Sequence, residues 1–437
     1  MKAQTKQTTW QPILVGELRE KALATVIDVA QALLCDPPCV LYPGVASTPE
    51  SQILHKLSLA DGWPGRALLY AYGARAFPGD DDAEIAADWL AQAIGKMPQV
   101  KLGASLYGGY TGVGWAVEHL RRQVFADDTE SLNDEVDAAL KAHLLALRGP
   151  LDYDLISGVA GVGVYALERL PHPAAVEILE LAVSLIDQAA EKDAQGARWK
   201  TPAELLPAWQ REICPNGYYN LGLAHGIPGL IAFLGGVCAA GVARETAQPL
   251  LEGAVSWLLR HKLPPEKAST FTTWLTPERE HEESRVAWCY GDAGLAAALL
   301  CAGEAVGRAD WAQEAVAIMR KAALRPADTV GVMDAALCHG AAGVAHIYNR
   351  FYQATGVEAF HAAAVEWFER TLELRSFAAP EGFAGFAAFH RHDDGTPVWE
   401  PSPGLLEGAA GIALALLAAV SDVSPEWDRM LLLSVPI

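Results

Sequence analysis

The sequence predicts an all-α protein: a single-domain α/α toroid over residues 1–437, with loop insertions at one rim. Seven helical hairpins are expected to form a double ring of inner and outer helices. Three observations predict this fold: a recurring Gly-x-x-Gly motif, an apolar segment after each motif, and an amphipathic segment between one motif and the next. The motifs begin at Gly62, Gly109, Gly158, Gly226, Gly291, Gly340 and Gly408.

The first elements of the chain lie before the repeats. Residues 1–12 contain no apolar core of a signal peptide and are expected to form a loose tail. Apolar residues recur at helical spacing over residues 13–34, which predicts an outer-type amphipathic helix that ends before Pro37 and Pro38. Similar half-solvated outer helices are predicted over residues 82–94, 132–147, 174–188 and 359–373.

The segments that follow the Gly-x-x-Gly motifs are apolar on nearly every side, which indicates buried inner helices. Successive first glycines lie 47, 49, 68, 65, 49 and 68 residues apart, and the short spacings accommodate two helices with two short connections. An open array would leave its terminal inner helices uncovered, and no polar capping repeats are evident, so the array is expected to close. Most of these glycines are expected to serve packing, because inner helices without a Cβ can begin in close contact.

The long spacings reveal insertions at residues 191–219, 262–284 and 376–403, each of which leads into a glycine-led helix. They are therefore expected over one rim of the toroid, where binding sites usually form. Aromatic side chains of the insertions and nearby segments are candidates to line that mouth, although for each one taken individually local packing is the better explanation. They are Trp199, Trp209, Tyr218, Tyr219, Trp274, Phe383, Phe386 and Trp399.

Composition excludes several classes of protein. The formal net charge of −20 argues against a nucleic-acid partner. Seven cysteines, an odd and scattered set, do not form a disulfide framework, which favours a cytoplasmic protein with metal-bound or free thiols. The apolar run 221–243 is long enough to span a bilayer, but its glycines and proline favour a loop and a buried helix, so no membrane span is predicted.

Two neighbouring motifs carry potential metal ligands in the same register. Cys289 and Cys338 each lie two residues before the first glycine of a motif, and His339 lies one residue before it. Equal register places these side chains at the same end of neighbouring helices. Two sulfurs and one nitrogen suit zinc, one ion per chain, and three protein ligands leave a fourth position open, as in catalytic sites. The alternative is two buried free cysteines and a core histidine.

Three further residues are candidates for catalysis at the same rim. His225 lies one residue before its motif and could act as an acid or base; alternatively, it is a satisfied histidine at a helix N-terminus. Asp154 could orient His225 or hydrogen-bond an intermediate, or it could cap a helix. Arg285, four residues before Cys289, could stabilise a developing anion or form a structural ion pair.

The motifs His-Gly-x-x-Gly at 225–229, Trp-Cys-Tyr-Gly-x-x-Gly at 288–294 and Cys-His-Gly-x-x-Gly at 338–343 resemble the signature of the lanthionine synthetase C family. The resemblance covers nearly the whole chain, because the sevenfold glycine repeat is also that family's toroid. It implies a zinc site and an active site beside it. The implied zinc ligands are Cys289, Cys338 and His339, and the implied active-site residues are His225, Asp154, Arg285 and Tyr290.

The resemblance also implies a reaction and its partners. A stand-alone cyclase of this family adds cysteine thiols of a dehydrated precursor peptide to dehydroalanine or dehydrobutyrine of the same peptide, which closes (methyl)lanthionine thioether rings. His225 is then the candidate acid for the α-carbon, with Asp154 in support, and Arg285 or His225 stabilises the enolate. A lanthipeptide dehydratase and export machinery are the expected protein partners.

Three alternatives remain open on the sequence alone. The same site could add a small thiol such as glutathione to dehydrated residues of proteins, which a preference for glutathione over a peptide cysteine would reveal. The toroid could be a zinc-bearing scaffold that binds peptide without catalysis, in which case removal of His225 would change no activity. A glycosidase is less compatible, because it needs paired carboxylates at the rim instead of thiol ligands.

Overall fold

The computed structural model describes residues 10–35, 47–79, 81–125, 132–376, 382–391 and 396–434, and these residues are mostly helical. The α-helices are α1 (Gly16–Leu33), α2 (Pro49–Leu57), α3 (Trp63–Ala76), α4 (Asp82–Lys96), α5 (Tyr110–Leu120), α6 (Asp134–Ala146), α7 (Val159–Arg169), α8 (Pro173–Ala189), α9 (Ala208–Ile213), α10 (Ile227–Ala240), α11 (Arg244–Leu259), α12 (Asp292–Val306), α13 (Ala309–Ala323), α14 (Ala341–Thr355), α15 (Glu358–Glu373) and α16 (Ala409–Val420). Shorter helical turns are Met97–Gln99, Arg121–Phe125, Ala203–Leu205, Ala327–Thr329 and Glu426–Leu431.

The predicted double ring is confirmed. The inner ring consists of α3, α5, α7, α10, α12, α14 and α16, each of which packs on the next, and α16 packs back on α3. The outer partners of the first six are α4, α6, α8, α11, α13 and α15, and the seventh outer helix is α1, which packs on α16. The two ends of the chain therefore form the seventh hairpin together and close the ring.

The insertions form three small antiparallel sheets. Strand β1 (Glu191–Asp193) pairs with β2 (Gly196–Arg198), β3 (Tyr219–Asn220) with β4 (Trp274–Leu275), and β5 (Ala388–Arg391) with β6 (Pro397–Glu400). The β3–β4 pair links the first insertion to the second. The apolar run at 221–243 contributes α10 to the inner ring, and no helix of the described residues has the length and hydropathy to span a membrane.

The glycines of each motif have separate structural roles. The first glycine is the N-cap of each inner helix. In five of the seven motifs the second glycine makes room for a leucine of a neighbouring loop: a Cβ added to Gly112 would lie 2.8 Å from the Cβ of Leu59, and one added to Gly161 would lie 2.9 Å from the Cβ of Leu106. The close approach that the motif predicts is therefore between a helix and the loop beside it.

A closed circle of backbone hydrogen bonds joins the seven loops that lead into the inner helices. The bonds run from Ala60 N–H to Tyr107 O (3.3 Å), Tyr107 N–H to Ile156 O (3.3 Å), Leu155 N–H to Ala224 O (3.1 Å), Ala224 N–H to Cys289 O (3.3 Å), Cys289 N–H to Cys338 O (3.2 Å), Cys338 N–H to Leu406 O (2.8 Å) and Leu406 N–H to Ala60 O (3.1 Å). In six of these loops, one residue provides both the N–H donor and the carbonyl acceptor, and it lies two positions before the first glycine. In the loop before α7, Leu155 donates and Ile156 accepts. Residues at the same distance from the first glycine of their motifs therefore occupy equivalent positions on the rim.

Both termini of the described chain are anchored to the toroid. Trp10 is buried, and its indole N–H donates to the carbonyl of Ala418 at 2.8 Å, so the fold begins before the end of the predicted tail 1–12, of which residues 1–9 lie outside the described residues. The C-terminal turn accepts hydrogen bonds from Tyr107 and Trp288, at its residues 430 and 431, at 2.8 and 2.9 Å. It lies inside the inner ring, where no periodicity of the sequence predicted it.

Candidate metal centre and active site

The loops before α12 and α14 bring three potential metal ligands together. The two Sγ atoms of Cys289 and Cys338 and a ring nitrogen of His339 all lie within 4.8 Å of one another. Cys289 is buried, and the other two side chains are partly buried. The donor set fits a zinc ion, because zinc takes thiolate and imidazole ligands and these three leave a further position open. The predicted ligands therefore meet in one cluster.

The three side chains of the cluster shift one another's pKa values. Hydrogen bonds from Cys338 and then His339 lower the pKa of Cys289 well below its usual value, although burial opposes them. The bond to Cys289, together with burial, raises the pKa of Cys338 well above its usual value. Burial lowers the pKa of His339, but its bond to Cys289 and nearby carboxylates raise that pKa to about 9. The three side chains thus share protons, whose place a metal ion would take.

Two carboxylates flank His339 on opposite ring nitrogens. Asp334 Oδ2 lies 3.9 Å from Nε2, and Glu407 Oε1 lies 3.9 Å from Nδ1. Strand β5 reaches both: the backbone N–H of Phe389 donates to Asp334 Oδ2 at 2.9 Å, and His390 Nε2 lies 3.8 Å from Glu407 Oε2. If one ring nitrogen binds a metal, the carboxylate beside the other nitrogen can orient the imidazole and raise its basicity.

A second group of potential ligands, Asp134, Asp137 and His172, lies at the opposite end of the inner helices. Here the guanidinium of Arg169 already pairs with Asp134 and Asp137, at 3.1 Å each, and Tyr165 OH donates to Asp137 at 2.5 Å. The buried cation neutralises the carboxylates, so this group is an ion-pair network of the core.

His225 and Asp154 form a hydrogen-bonded pair beside the metal centre. His225 Nδ1 lies 2.5 Å from Asp154 Oδ2, while Asp154 Oδ1 accepts the backbone N–H groups of Ser157 at 2.7 Å and Gly158 at 2.9 Å. Asp154 therefore both orients His225 and closes the turn that precedes α7. Burial lowers the pKa of His225, but the hydrogen bond and the charge of Asp154, followed by that of Cys289, outweigh burial and raise it.

Tyr290 lies between the histidine pair and the metal centre. Its ring stacks on that of His225 at a centroid distance of 6.0 Å and an interplanar angle of 27°. Its hydroxyl accepts a hydrogen bond from Asn220 Nδ2 at 3.2 Å, and burial raises its pKa far above the usual range, so the phenol stays protonated. Asn220 also fixes its own loop, because its Oδ1 accepts the N–H of Gly222 at 2.8 Å.

Arg285 lies at the exposed edge of this site, in the loop before α12. Its charge contributes to the lowered pKa of Cys289. Among the described residues no hydrogen bond or ion pair holds its side chain, so the structural ion pair considered from the sequence is not present there.

Gly291, which follows Tyr290, adopts φ +112°, a conformation that only glycine adopts without strain.

Comparison with known proteins assigns this arrangement to a family. The model of the lanthionine synthetase C-like protein family matches residues 54–432. The chain belongs to that family. Nisin biosynthesis protein NisC of Lactococcus lactis subsp. lactis is 23% identical over 352 residues, which cover 76% of this chain and 82% of NisC. The solved structure of nisin cyclase superposes with a TM-score of 0.72 at 20% identity and covers 95% of this chain and 97% of its own, which shows the shared fold.

The predictions of the lanthionine synthetase C-like family and of a lanthionine synthetase-type enzyme are thus confirmed. Besides His390 of β5, three residues near the site were not predicted. Glu407 could have been found, because it immediately precedes the first glycine of the last motif, the register of His225, Tyr290 and His339. The other two, Asn220 and Asp334, each lie six residues before a first glycine.

In this family member a cavity of about 250 Å³ opens beside the histidine pair, and its lining includes Asp154, His225, Tyr290 and Tyr218. Of the eight aromatic residues predicted to line the mouth, Tyr218 is the one that lines this cavity. Trp199 is buried instead, with its indole N–H bonded to Ile186 O at 2.8 Å. Two of the other predicted aromatics are among the most exposed large side chains: Trp209 and Trp399.

Proposed function

We propose that the chain is a zinc-dependent lanthipeptide cyclase, which adds cysteine thiols of a dehydrated peptide to dehydroalanine or dehydrobutyrine of the same peptide. The observation that carries this proposal is the convergence of Cys289, Cys338 and His339 within 4.8 Å, beside the His225–Asp154 pair. A centre of this kind without an adjacent acid or base would suit a structural metal. An acid at the rim of a thiol-rich metal centre suits chemistry on a substrate thiol.

A zinc ion held by Cys289, Cys338 and His339 would supply a Lewis-acidic position at which a thiol of the substrate is favoured as thiolate. The two cysteine ligands donate negative charge to that position. Asp334 and Glu407 would keep the imidazole of His339 oriented toward it.

The reaction forms a bond between sulfur and the β-carbon of the dehydro residue, and the π electrons of the double bond move toward the neighbouring carbonyl as an enolate. A proton must then reach the α-carbon, while the thiol has released one, so no net proton is consumed. His225 can deliver it through Nε2, because Nδ1 is engaged by Asp154 and the raised pKa keeps the ring protonated at higher pH.

The neighbouring side chains support this proton transfer. Tyr290 holds the plane of the His225 ring by stacking, and Asn220 fixes the Tyr290 hydroxyl. Arg285 is exposed at the edge of the site, where its positive charge stabilises the enolate oxygen. His225 is thus the acid, while the neighbouring side chains orient it or stabilise the enolate.

This chemistry requires a dehydrated peptide substrate and a compartment in which thiols stay reduced. The substrate is a precursor peptide whose serines or threonines have been dehydrated, so a lanthipeptide dehydratase acts before this enzyme and export machinery after it. Such peptide modification takes place in the cytoplasm, where free thiols persist.

The decisive experiment measures the zinc content per chain and ring closure on a dehydrated peptide in the wild type, Cys289→Ala and Cys338→Ala. We expect one zinc in the wild type and little in either variant, with loss of ring closure measured by mass spectrometry after thiol alkylation. Cys301→Ala is the matched control, because Cys301 is buried in α12 outside the cluster, and it should retain zinc and activity. A folded, active wild type without metal would contradict the proposal.

The same assay separates the alternatives. If glutathione adds to the dehydrated peptide much faster than the peptide's own cysteine does, the enzyme is an intermolecular thiol transferase. If His225→Ala leaves ring closure and its stereochemistry unchanged, another group protonates the enolate. If the wild type binds zinc and peptide but forms no ring, the chain is a scaffold.

A further inference from the structure

A second cavity adjoins the active-site cavity on the side away from the metal centre. Its volume is about 630 Å³, against about 250 Å³ for the cavity at His225, and the larger volume is typical of ligand sites. The two cavities share four lining residues and are therefore neighbours along one surface. The shared residues are Leu151, Asp152, Tyr153 and Ser157.

The second cavity has an apolar floor and a cationic edge. Val162 of α7, Leu185 of α8 and the buried Trp199 contribute to the floor, while Arg148 and Lys200 lie among the lining residues at the edge. This edge contrasts with the chain as a whole, which carries a formal charge of −20. A local positive edge on an acidic protein attracts an anionic group to one place.

The charged residues that line this cavity differ in the hydrogen bonds that they already make within the protein. The Arg148 guanidinium donates to Leu145 O at 2.8 Å and Leu147 O at 2.6 Å, which holds it at the edge. Asp152, the acidic residue that lines the cavity, accepts the hydroxyl of Ser157 at 2.8 Å. Lys200 is exposed and makes no hydrogen bond or ion pair with the described residues, although its charge helps to lower the pKa of Glu278.

We propose that the second cavity is a subsite for the substrate peptide that selects an acidic residue near the reacting side chain. The carboxylate binds at Lys200 and Arg148, and the hydrocarbon part of the residue packs on Leu185, which is partly exposed in the floor. This inference rests on the proposed function, because it requires a peptide whose chain continues beyond the cavity at His225. A peptide that reacts there must leave the cavity, and the shared wall leads its flanking residues into the cationic one.

The test uses dehydrated model peptides in which glutamate or lysine is placed in turn at three positions on either side of the reacting residue. KM is measured for ring closure, and the affinity of non-dehydrated versions is measured by fluorescence anisotropy, which does not depend on the chemistry. At one or two of these positions the wild type should bind the glutamate peptide roughly fivefold more tightly than the lysine peptide. A fivefold difference corresponds to about 1 kcal/mol, the upper end of the range for exposed ion pairs. Lys200→Glu should abolish or reverse this preference with kcat little changed.

Lys101→Glu is the matched control, because it changes the net charge equally. Lys101 is exposed in the loop before α5, two hairpins earlier in the chain than Lys200, and lines neither cavity. The subsite is contradicted if the wild type binds the glutamate and lysine peptides equally, or if Lys101→Glu shifts the preference as much as Lys200→Glu does. A wild type that binds these peptides selectively but closes no ring would instead contradict the proposed function and leave the subsite supported.

Discussion

Replacement of Asp154 by asparagine isolates the electrostatic role of this residue from its structural role. Asparagine keeps the oxygen that accepts the backbone N–H groups of Ser157 and Gly158, so the turn before α7 should persist. The amide removes the negative charge that faces His225 Nδ1. Because that charge and hydrogen bond raise the pKa of His225 against the effect of burial, the pKa must fall in Asp154→Asn.

The size of the fall follows from the geometry of the pair. A hydrogen bond to a charged group contributes about 1.5–3 kcal/mol. The His225 side chain is 40% exposed, so solvent screening places the effect at or below the lower end of that range. About 1.4 kcal/mol corresponds to one pKa unit, so we expect the pKa of His225 to fall by roughly one unit.

Two measurements check this expectation: the pKa from NMR titration of the His225 ring, and the pH profile of ring closure. An acid must be protonated, so the rate attributed to His225 should decline as pH rises through its pKa, and Asp154→Asn should move that decline roughly one unit lower. Asp152→Asn is the control, since its charge also raises the pKa of His225 but it makes no hydrogen bond to the ring, so the shift should be smaller. An unchanged pKa would refute the electrostatic reasoning, and a shifted pKa with an unmoved rate profile would refute His225 as the acid.

Three further predictions concern the metal centre and the ring. Zinc must displace protons from Cys338 and His339, so its affinity, measured by chelator competition, should rise with pH, most steeply below about 9 and by at most roughly 100-fold per unit; a flat profile would contradict the assigned protonation. Glu407→Gln should weaken zinc binding about 10–100-fold with unchanged circular dichroism, whereas equal affinity would deny it an orienting role. In urea unfolding, Gly112→Ala should destabilise the protein by about 1–3 kcal/mol, while Gly95→Ala, in open space within α4, should stabilise it by about 0.5–1 kcal/mol; similar effects would refute the packing argument.

The repeat made much of the fold and site predictable. The predicted helix at 82–94 is Asp82–Lys96 in the structure, and that at 359–373 is Glu358–Glu373. The common register of Cys289 and Cys338 predicted neighbouring ligands, and the circle of hydrogen bonds explains why register sufficed: the backbone N–H of one bonds to the carbonyl of the other.

Features outside the repeat could not be predicted in the same way. His390 approaches the metal centre on a β-hairpin of the third insertion, whose sequence has no counterpart in the other repeats. The turn Glu426–Leu431 enters the ring because Tyr107 and Trp288 offer hydrogen-bond donors there, which only the closed fold reveals. The partnership of α1 with α16 likewise depends on closure, since these helices are almost a full chain length apart in sequence.

The backbone circle also explains how the proposed metal ligands meet without a compact local motif. Zinc sites commonly take pairs of ligands from one short segment, with two to four residues between them. In this chain 48 residues separate Cys289 from Cys338, yet the 3.2 Å hydrogen bond between their backbones fixes their distance as firmly as a short loop would. Ligand separation is therefore set by neighbouring positions on the ring. His225 joins the same arc because Ala224 bonds to Cys289 as Cys289 bonds to Cys338, so three consecutive loops place the acid, the stacking tyrosine and the metal ligands side by side.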